Sequence, residues 1–383
     1  MTRWLLPVVL ASTGTATCPA AADPITDRDY AIDFYDGVAI GNTAWVGMGG
    51  AGAANIVGTA GTLINPSAPA VRFTTDTDDW SWDYHIDVLT GKLSTDYDNN
   101  GIVSEDAGAS LITVGLGGRY HDWAVAVTLT AQTAPVDDTL QAEGIRFRYV
   151  IAKYFPARDI AVGIGAQSVA FNVGPEVGED LFSITGTGLI AGITYVPRMR
   201  NFRLAGGIES RILGAEVVAD GCDPEDCMGY ILPGNVTSPA RGVIGFAYRL
   251  APTKWNQLVG GVFRDERALT LTTDLLITGN SPDAYGIEAF AMQELQRSGK
   301  DFAISLRGGA EYEWLPGRFR VRAGSYWEPS RFEGVSGRLH VTFGVELRVF
   351  EFQLWGRRRG RLSLTGDIAE RYRNVAASIG FWH

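Results

Sequence analysis

The side chains best suited to ligand chemistry are charged residues that recur at every second position of otherwise apolar segments. They include Arg146, Arg148, Arg307, Glu311, Arg320, Arg322, His340 and Glu346. Because side chains alternate across a strand, these residues share one face, and valines, leucines and phenylalanines share the other. Such a charged wall can hold the carboxylate of a ligand or anchor a second segment. For any single arginine, an ion pair within the protein is the simpler role.

An acidic loop is a second candidate for ligand chemistry. Asp96, Asp98 and Asn100 precede Gly101 in the order of the first ligands of a calcium loop. The last ligand of that pattern, a bidentate glutamate, is missing, because Ala107 takes its place. The sequence therefore favours an ordinary Asn-Gly turn, and calcium binding across residues 96–106 is the alternative.

Cysteine and histidine are too few and too scattered to predict a catalytic or zinc site. Cys222 and Cys227 can close a small local disulfide, whereas a zinc site would need two further ligands and no histidine is near. The sequence contains no Gly-x-Ser-x-Gly elbow and no His-Glu-x-x-His helix. We therefore expect a protein that is not an enzyme and has no resident cofactor apart from the calcium alternative.

The charged faces belong to segments long enough to cross a membrane as strands. From Phe302 to Trp314, apolar and polar residues alternate and the run ends in an aromatic residue. A tilted transmembrane strand needs about 9–11 residues, and an arginine facing lipid at the bilayer midplane costs roughly 2–4 kcal/mol. The charges must therefore line an enclosed lumen. The sequence predicts an all-β fold, a transmembrane antiparallel β-barrel.

The same alternation predicts strands along most of the chain. Their ranges are 79–89, 110–120, 123–133, 144–155, 160–171, 186–195, 202–213, 241–250, 254–264, 268–278, 302–314, 318–327, 338–349, 361–368 and 372–382. Residues 281–298 could form one more strand or a short loop helix. Bacterial single-chain barrels have an even number of strands, so either residues 281–298 add a sixteenth strand or at least one of these fifteen predictions is wrong. Short connections, among them 251–253, alternate with long loops, as in outer-membrane barrels.

The N-terminus and the charge balance are typical of an exported protein. Residues 1–22 combine Arg3, an apolar stretch and small residues, which predicts a secretory signal peptide. The chain has 43 acidic and 33 basic residues, a formal net charge of −10. This balance argues against nucleic-acid partners, which favour clustered lysine and arginine.

Residues 23–71 do not alternate, and they concentrate glycine and alanine. They contain the run Gly47-Met48-Gly49-Gly50-Ala51-Gly52 and later Asn65-Pro66-Ser67-Ala68. Glycines at this density permit tight turns and close backbone contacts. Ile56 and Leu63 make the segment too apolar for a solvated linker, so we predict a packed insert.

These two elements resemble the N-terminal signature of the FadL-type outer-membrane transporter family, which is related to the PorV-like barrels. The segment Arg322–Ser330 is also similar to a strand and loop of that family. The resemblance implies about 14 strands around an N-terminal hatch, whereas the strands counted from alternation leave 16 possible. The chain would divide into a signal peptide (1–22), a hatch (23–71) and a barrel (72–383), and the hatch or gating residues would be Gly47, Met48, Gly49, Gly50, Gly52, Asn65 and Pro66.

The resemblance further implies passive uptake of hydrophobic small molecules, such as long-chain fatty acids, through the bacterial outer membrane, with the hatch as gate. The expected partners are outer-membrane lipid, the hydrophobic cargo and the outer-membrane insertion machinery, which would bind the aromatic-ended last strand. The alternative is a barrel that does not transport and serves as an anchor or shuttle for secreted or surface proteins.

Overall fold

The computed structural model describes residues 23–34, 41–74, 76–91, 96, 98–103, 109–136, 140–175, 178–219, 221–260, 263–281, 283–354 and 357–382. The predicted signal peptide, residues 1–22, lies outside these ranges, as do residues 97 and 104–106 of the predicted calcium loop.

Strands dominate the described part of the chain. In chain order they are β1 (Ala31–Asp33), β2 (Trp80–Gly91), β3 (Ala109–Tyr120), β4 (Trp123–Pro135), β5 (Leu140–Phe155), β6 (Ile160–Pro175), β7 (Phe182–Tyr195), β8 (Phe202–Glu209), β9 (Ile212–Leu213), β10 (Val218–Ala219), β11 (Asn235–Ser238), β12 (Arg241–Leu250), β13 (Leu269–Thr278), β14 (Ala284–Tyr285), β15 (Arg297–Ser298), β16 (Ala303–Leu315), β17 (Phe319–Glu328), β18 (Arg338–Gln353), β19 (Arg357–Ala369) and β20 (Tyr372–Phe381). The helices are α1 (Thr43–Gly47), α2 (Gly58–Gly61) and α3 (Ile287–Met292), and Ala68–Ala70 forms a 3-10 turn.

Fourteen of the strands form one closed antiparallel barrel, which confirms the predicted fold and the lower of the two strand counts. The wall consists of β2–β8, β12, β13 and β16–β20, each paired with its neighbour in this order. It closes where β20 returns to β2, with Ile379 opposite Ile86. Because every wall strand has two neighbours, no exposed strand edge remains in the closed part of the sheet.

The two faces of the wall differ as the alternation requires. Large apolar side chains cover the outside, among them Ile164, Ile208, Ile244, Leu306 and Leu339. Arginines, aspartates and glutamates of the same strands are buried inside. Since hydrocarbon accepts the first face and excludes the second, the barrel spans a membrane. No helix among the described residues is long and apolar enough to do so.

Residues 41–71, here called the lumen segment, lie within the barrel. The helix α1 packs against β17–β20, α2 against β2–β4, and the 3-10 turn against β3–β6. The segment therefore winds around the inside of the wall. Its helices have only five and four residues, too few to be stable without tertiary contacts.

Residues 23–34 lie outside the lumen, at the end of the barrel that carries the long loops. Their strand β1 runs parallel to β11 and β14 in a five-stranded sheet with β9 and β15. Ile32, Phe182 and Phe290 belong to the apolar cluster beneath this sheet. We call the sheet and the cluster the cap. The predicted hatch range thus covers two structural parts, one in the cap and one in the lumen.

The predicted strand 254–264 is wrong. The described residues there belong to a connection between β12 and β13 that runs from Ala251 to Ala268, so the predicted short turn 251–253 is wrong as well. The segment folds back on itself because the Arg264 guanidinium donates to the carbonyls of Lys254 and Trp255, at 2.6 and 3.2 Å.

Two further boundaries differ from prediction because the loops enter the cap. The predicted strand 202–213 leaves the wall at Glu209, and its last two residues form β9 of the cap sheet. The ambiguous region 281–298 contains α3 with the short strands β14 and β15, and adds no strand to the wall.

The outward face gives a first test of membrane insertion. Ile244 lies near the middle of the ten-residue strand β12, with 65% of its surface exposed. We expect Ile244→Arg to lower the free energy of unfolding of the membrane-inserted barrel by roughly 2–4 kcal/mol, because the charge would face hydrocarbon. Denaturant titration of the protein in liposomes measures this difference. Ile244→Ala keeps an apolar face and is the control; equal losses for both variants would contradict a lipid-facing position.

Candidate functional site

The lumen segment is attached to the wall from its first residues. The side-chain amide of Asn42 and the backbone N–H of Thr43 both donate to the carboxylate of Asp87 on β2, at 3.0 Å each. The Thr43 hydroxyl forms hydrogen bonds with Ser363 and Ser378, at 2.9 and 2.7 Å. The start of α1 is therefore tied to β2, β19 and β20, on either side of the seam where the barrel closes.

The glycine-rich run predicted as the hatch forms a tight turn against β16 and β18. Gly49 and Gly50 have φ angles of +63° and +66°, which residues with a side chain rarely adopt. The N–H of Gly49 donates to Thr342 Oγ1 at 2.9 Å, and the same hydroxyl donates to the Gly47 carbonyl at 3.3 Å. The Gly50 carbonyl accepts a hydrogen bond from Arg307 at 3.1 Å.

Two buried carboxylates of the wall receive backbone N–H groups of the segment. Asp274 on β13 accepts from Gly52 and Ala53, at 2.8 and 2.9 Å. Asp83 on β2 accepts from the Thr59 N–H at 2.8 Å and from its hydroxyl at 2.9 Å. Hydrogen bonds to an ionised acceptor are stronger than neutral ones, so these two aspartates are anchors of the lumen segment.

Asn65 and Pro66, the second predicted hatch element, lie against β6 and β7. The Asn65 side-chain amide donates to Thr194 Oγ1 at 2.8 Å. The wall opposite carries glycine: a Cβ at Gly163 would lie 2.1 Å from the Pro66 carbonyl oxygen, and one at Gly192 would lie 2.1 Å from Asn65 Oδ1. The segment can approach the wall this closely only because the two facing positions are glycine.

The first hatch element meets the wall in the same way. A Cβ at Gly309 on β16 would lie 2.3 Å from the carbonyl oxygen of Met48, and one at Gly324 on β17 would lie 2.3 Å from the N of Gly49. Both distances are far below van der Waals contact. Glycines of the wall therefore form the seats of both signature elements of the lumen segment.

The predicted lumen charges form ion-pair clusters beside the segment. Glu346 on β18 lies 2.7 Å from Arg322, 3.3 Å from Arg320 and 3.6 Å from Arg361, and Arg322 also pairs with Glu311 at 2.6 Å. A buried charge left without its partners is costly, which explains why the arginines and glutamates occur together.

Arg146 and Arg148 form a second cluster on β5. The Arg148 guanidinium donates to Glu209 at 3.0 Å and to the Leu63 carbonyl of the lumen segment at 2.8 Å. Arg146 lies 3.8 Å from the same glutamate and donates to Gln167 at 3.3 Å. One guanidinium thus joins the wall, its own counter-ion and the lumen segment.

His340 belongs to a third buried cluster. Its Nδ1 lies 2.8 Å from Asp367 and its Nε2 lies 2.8 Å from Glu328. Tyr326 donates to Asp367 at 2.7 Å, and Arg338 donates to Glu328 at 2.5 Å. With both ring nitrogens bonded to carboxylates of neighbouring strands, this histidine stabilises the lumen wall.

The cap is tied to the N-terminal strand by a buried ion pair. Asp33 accepts hydrogen bonds from Arg331 at 2.9 and 3.0 Å and from Ser298 at 2.7 Å. The hydroxyl of Ser281 donates to the other carboxylate oxygen at 3.1 Å. Three different loop positions therefore converge on one carboxylate.

The predicted calcium ligands form a turn between β2 and β3. Asp96 accepts the backbone N–H groups of Asn100 and Gly101, at 3.0 Å each. Burial, together with the nearby carboxylates of Glu288 and Asp96, raises the pKa of Asp98. Among the described residues, no group of three or more His, Cys, Asp or Glu is placed to hold a metal ion. Calcium binding stays a prediction.

Cys222 and Cys227 are joined by a disulfide, with their Cα atoms 5.2 Å apart. The bond closes a short loop between β10 and β11, at the long-loop end of the barrel. It stiffens a connection that packs onto the cap, since Cys227 belongs to the apolar cluster there.

Two of the cavities that border the lumen segment contain Arg203 in their lining. The first has a volume of about 140 Å³, and its lining includes Met48, Glu311, Arg320, Arg322 and Glu346. The second has a volume of about 450 Å³ at the end with the short turns, and its lining includes Val71, Tyr154, Val196 and Leu258. Arg72, Thr74 and Arg203 line both cavities.

The contacts that hold the lumen segment include residues that alternation alone does not single out. Asp83, Asp87, Asp274, Thr194 and Thr342 face inward like many other polar residues of the wall. The only sequence signal for the seats is glycine at an inward position of an alternating strand, as at Gly309 and Gly324. That signal identifies a close approach but not the residue that approaches.

No protein-family model and no curated protein sequence matches the chain. Solved structures do match. The CymD monoaromatic hydrocarbon channel has a TM-score of 0.54 at 13% identity, covering 91% of this chain and 98% of that chain. The Ralstonia pickettii toluene transporter TbuX has a TM-score of 0.52 at 14% identity, covering 90% and 98%. A Pseudomonas aeruginosa FadL homologue has a TM-score of 0.50 at 14% identity, also covering 90% and 98%.

These similarities show that the chain has the fold of the FadL-type outer-membrane barrels. The resemblance noted in the sequence is thereby confirmed at the level of the fold.

The glycine seats give a second test. In Gly309→Ala the new methyl group would collide with the Met48 backbone, and such overpacking costs about 1–3 kcal/mol. We expect faster amide hydrogen exchange in residues 41–71 and unchanged exchange in the wall strands, measured by mass spectrometry. Gly308→Ala is the matched control, because the nearest atom to its Cβ is 3.9 Å away. Equal exchange in both variants would contradict the role of Gly309 as a seat.

Proposed function

We propose that this chain is an outer-membrane channel for the passive uptake of hydrophobic small molecules, such as long-chain fatty acids, and that its lumen segment is the gate. The observation that carries the proposal is a closed membrane barrel whose lumen is occupied by a separate segment, attached to the wall by hydrogen bonds. The fold shared with hydrocarbon channels supports the same function.

The contacts of the lumen segment are of a kind that can be exchanged. A hydrogen bond inside a protein contributes about 0.5–1.5 kcal/mol net, and somewhat more when one partner is charged. The anchors at Asp83, Asp87 and Asp274 are contacts of this size. The wall, in contrast, is held by ladders of 6 to 16 residue pairs, the shortest between β2 and β20 and between β7 and β8, and the longest between β5 and β6. The contacts of the segment can therefore be exchanged one at a time, whereas a strand leaves the wall only when a whole ladder breaks.

A hydrophobic cargo also needs apolar surface at the mouth of the channel. The cap provides it, since Phe171, Leu181, Phe182 and Phe290 form one buried cluster at the long-loop end. Ile32 of the N-terminal segment packs into the same cluster. In the proposed mechanism the cargo replaces such contacts in the cap and then passes as the lumen segment moves aside.

The proposed partners follow from the surface of the barrel. Outer-membrane lipid would surround the apolar outer face, and outer-membrane insertion machinery would bind the last strand, β20, which ends at Phe381 before Trp382. The hydrophobic cargo is the third partner.

A second candidate function is that of an anchor or shuttle for secreted proteins. Two observations favour it: the lumen segment fills the barrel, and the loop region around the disulfide exposes apolar residues at the rim. Met228 and Val218 have 74% and 73% of their surface exposed. Such residues could contact a partner protein. Uptake measurements separate the two functions, because an anchor requires no flux.

A reversible lock between the lumen segment and the wall tests the gate. The hydroxyl oxygens of Thr43 and Ser378 lie 2.7 Å apart, so the double variant Thr43→Cys/Ser378→Cys can form a disulfide with a small shift, given an S–S bond of about 2.0 Å. We expect uptake of radiolabelled oleate, in cells that lack another fatty-acid channel, to fall to the level of cells without the protein. A reductant should restore it.

The single variant Thr43→Cys and the unmodified protein, each with and without reductant, control for the native disulfide. If the locked protein transports as fast as the reduced one, the segment is not the gate. If the unmodified protein carries neither oleate nor toluene, the transport function fails and the anchor function is favoured.

A further inference from the structure

We propose that the 450 Å³ cavity at the short-turn end of the barrel is a binding site for a small organic monocarboxylate with an apolar body, held by Arg203. The proposed uptake function assigns no ligand to this end of the barrel and no role to Arg203, and the existence of the site does not depend on whether the barrel transports. It rests on one buried guanidinium, the charges around it and the walls of the cavity.

Arg203 is buried, with 3% of its surface exposed. Its Nε donates to Asn256 Oδ1 at 2.9 Å, and its guanidinium stacks on the Trp255 ring at 4.1 Å. Neither terminal nitrogen has a hydrogen bond to any residue that the structure describes, and no carboxylate of the described chain pairs with this arginine. Buried arginines are normally paired, and Arg203 lines the larger cavity, so its two terminal nitrogens without a partner indicate an anionic ligand.

The surroundings of Arg203 carry an excess of positive charge. Its guanidinium is close enough to Arg249 and Arg264 to be repelled by both. Of these two arginines, only Arg249 has an ion pair among the described residues, with Glu266 at 3.5 Å. Buried nitrogens of both lack hydrogen-bond partners. A bound anion would offset this repulsion.

The other charges of the cavities are already compensated. Arg72 pairs with Asp122 at 3.6 Å. In the smaller cavity, Glu311 and Glu313 pair with Arg322 and Arg320, at 2.6 and 3.4 Å. Arg203 is therefore the cation left for a ligand in the larger cavity.

The walls of the larger cavity set the chemistry of the rest of the ligand. Val71, Val196, Met199 and Leu258 line it together with Tyr154. A planar guanidinium with two free donors matches the two oxygens of a carboxylate, and the apolar walls match an alkyl or aromatic body. An inorganic anion would leave those walls without contacts.

Isothermal titration calorimetry of the full chain in nanodiscs of zwitterionic lipid tests the site, with hexanoate and hexanamide as probes. The two ligands have the same alkyl chain and differ in charge. We expect the unmodified protein to bind hexanoate about tenfold more tightly than hexanamide, since a charge-assisted pair contributes that much. Empty nanodiscs correct for partition into lipid.

Arg203→Gln should remove most of this preference and leave hexanamide binding unchanged, which also shows that the cavity is intact. Arg203→Lys keeps the charge and should retain part of the preference. The control is Arg198→Gln, because Arg198 lines the same cavity but already pairs with Asp159 at 2.8 Å; it should behave like the unmodified protein.

Equal affinity of the unmodified protein for the two ligands, or no binding of either, would overturn the proposal without any variant. A preference that survives in Arg203→Gln would overturn the role of Arg203. Loss of oleate uptake with an intact hexanoate preference would concern only the proposed channel function.

Discussion

The exclusion of charge from lipid is the constraint on which the rest of the structure depends. Because successive side chains of a strand point to opposite faces, the charged side chains of a wall strand lie inside when its apolar ones face the membrane. The interior then contains ionised groups such as Arg322 and Glu346, remote from bulk water, and they must pair with one another or with something placed in the lumen. The lumen segment lies in this space and forms some of these contacts, as between Arg148 and the Leu63 carbonyl.

The lumen segment and the wall satisfy each other's polar groups. Asp83 and Asp274 need hydrogen-bond donors. The backbone around Gly52 and Thr59 is irregular, so its N–H groups are not used within a long helix and can donate to these carboxylates. Arginines of the wall, in turn, donate to the carbonyls of Leu63 and Gly50. Such a segment needs only short helical turns of its own, because its partners are distributed around the barrel.

The same arrangement separates two levels of stability within one molecule. The wall is a closed ladder, whereas the lumen segment is held by single hydrogen bonds, by an apolar cluster that includes Met48 and Leu63, and by its fit against wall glycines. Regions held by single, exchangeable hydrogen bonds open more easily than the core of a sheet. Such a division suits a barrel that must stay in the membrane while its lumen changes. Arg203, beyond the segment at the short-turn end, is an exception to the compensation of charge seen elsewhere.

The sequence by itself determined the membrane barrel, its charged lumen and the presence of a packed insert, because alternation and glycine density are local properties that each strand shows alone. The same pattern wrongly predicted a strand at 254–264. That segment alternates, but it folds back on itself, with Arg264 bonded to the Lys254 carbonyl. Only the tertiary structure decided which residues meet: Asp33 and Arg331 are 298 positions apart, and Met48 finds Gly309 through the arrangement of the strands around the barrel. Such pairs depend on how the strands are placed in the closed wall, and no local pattern contains that information.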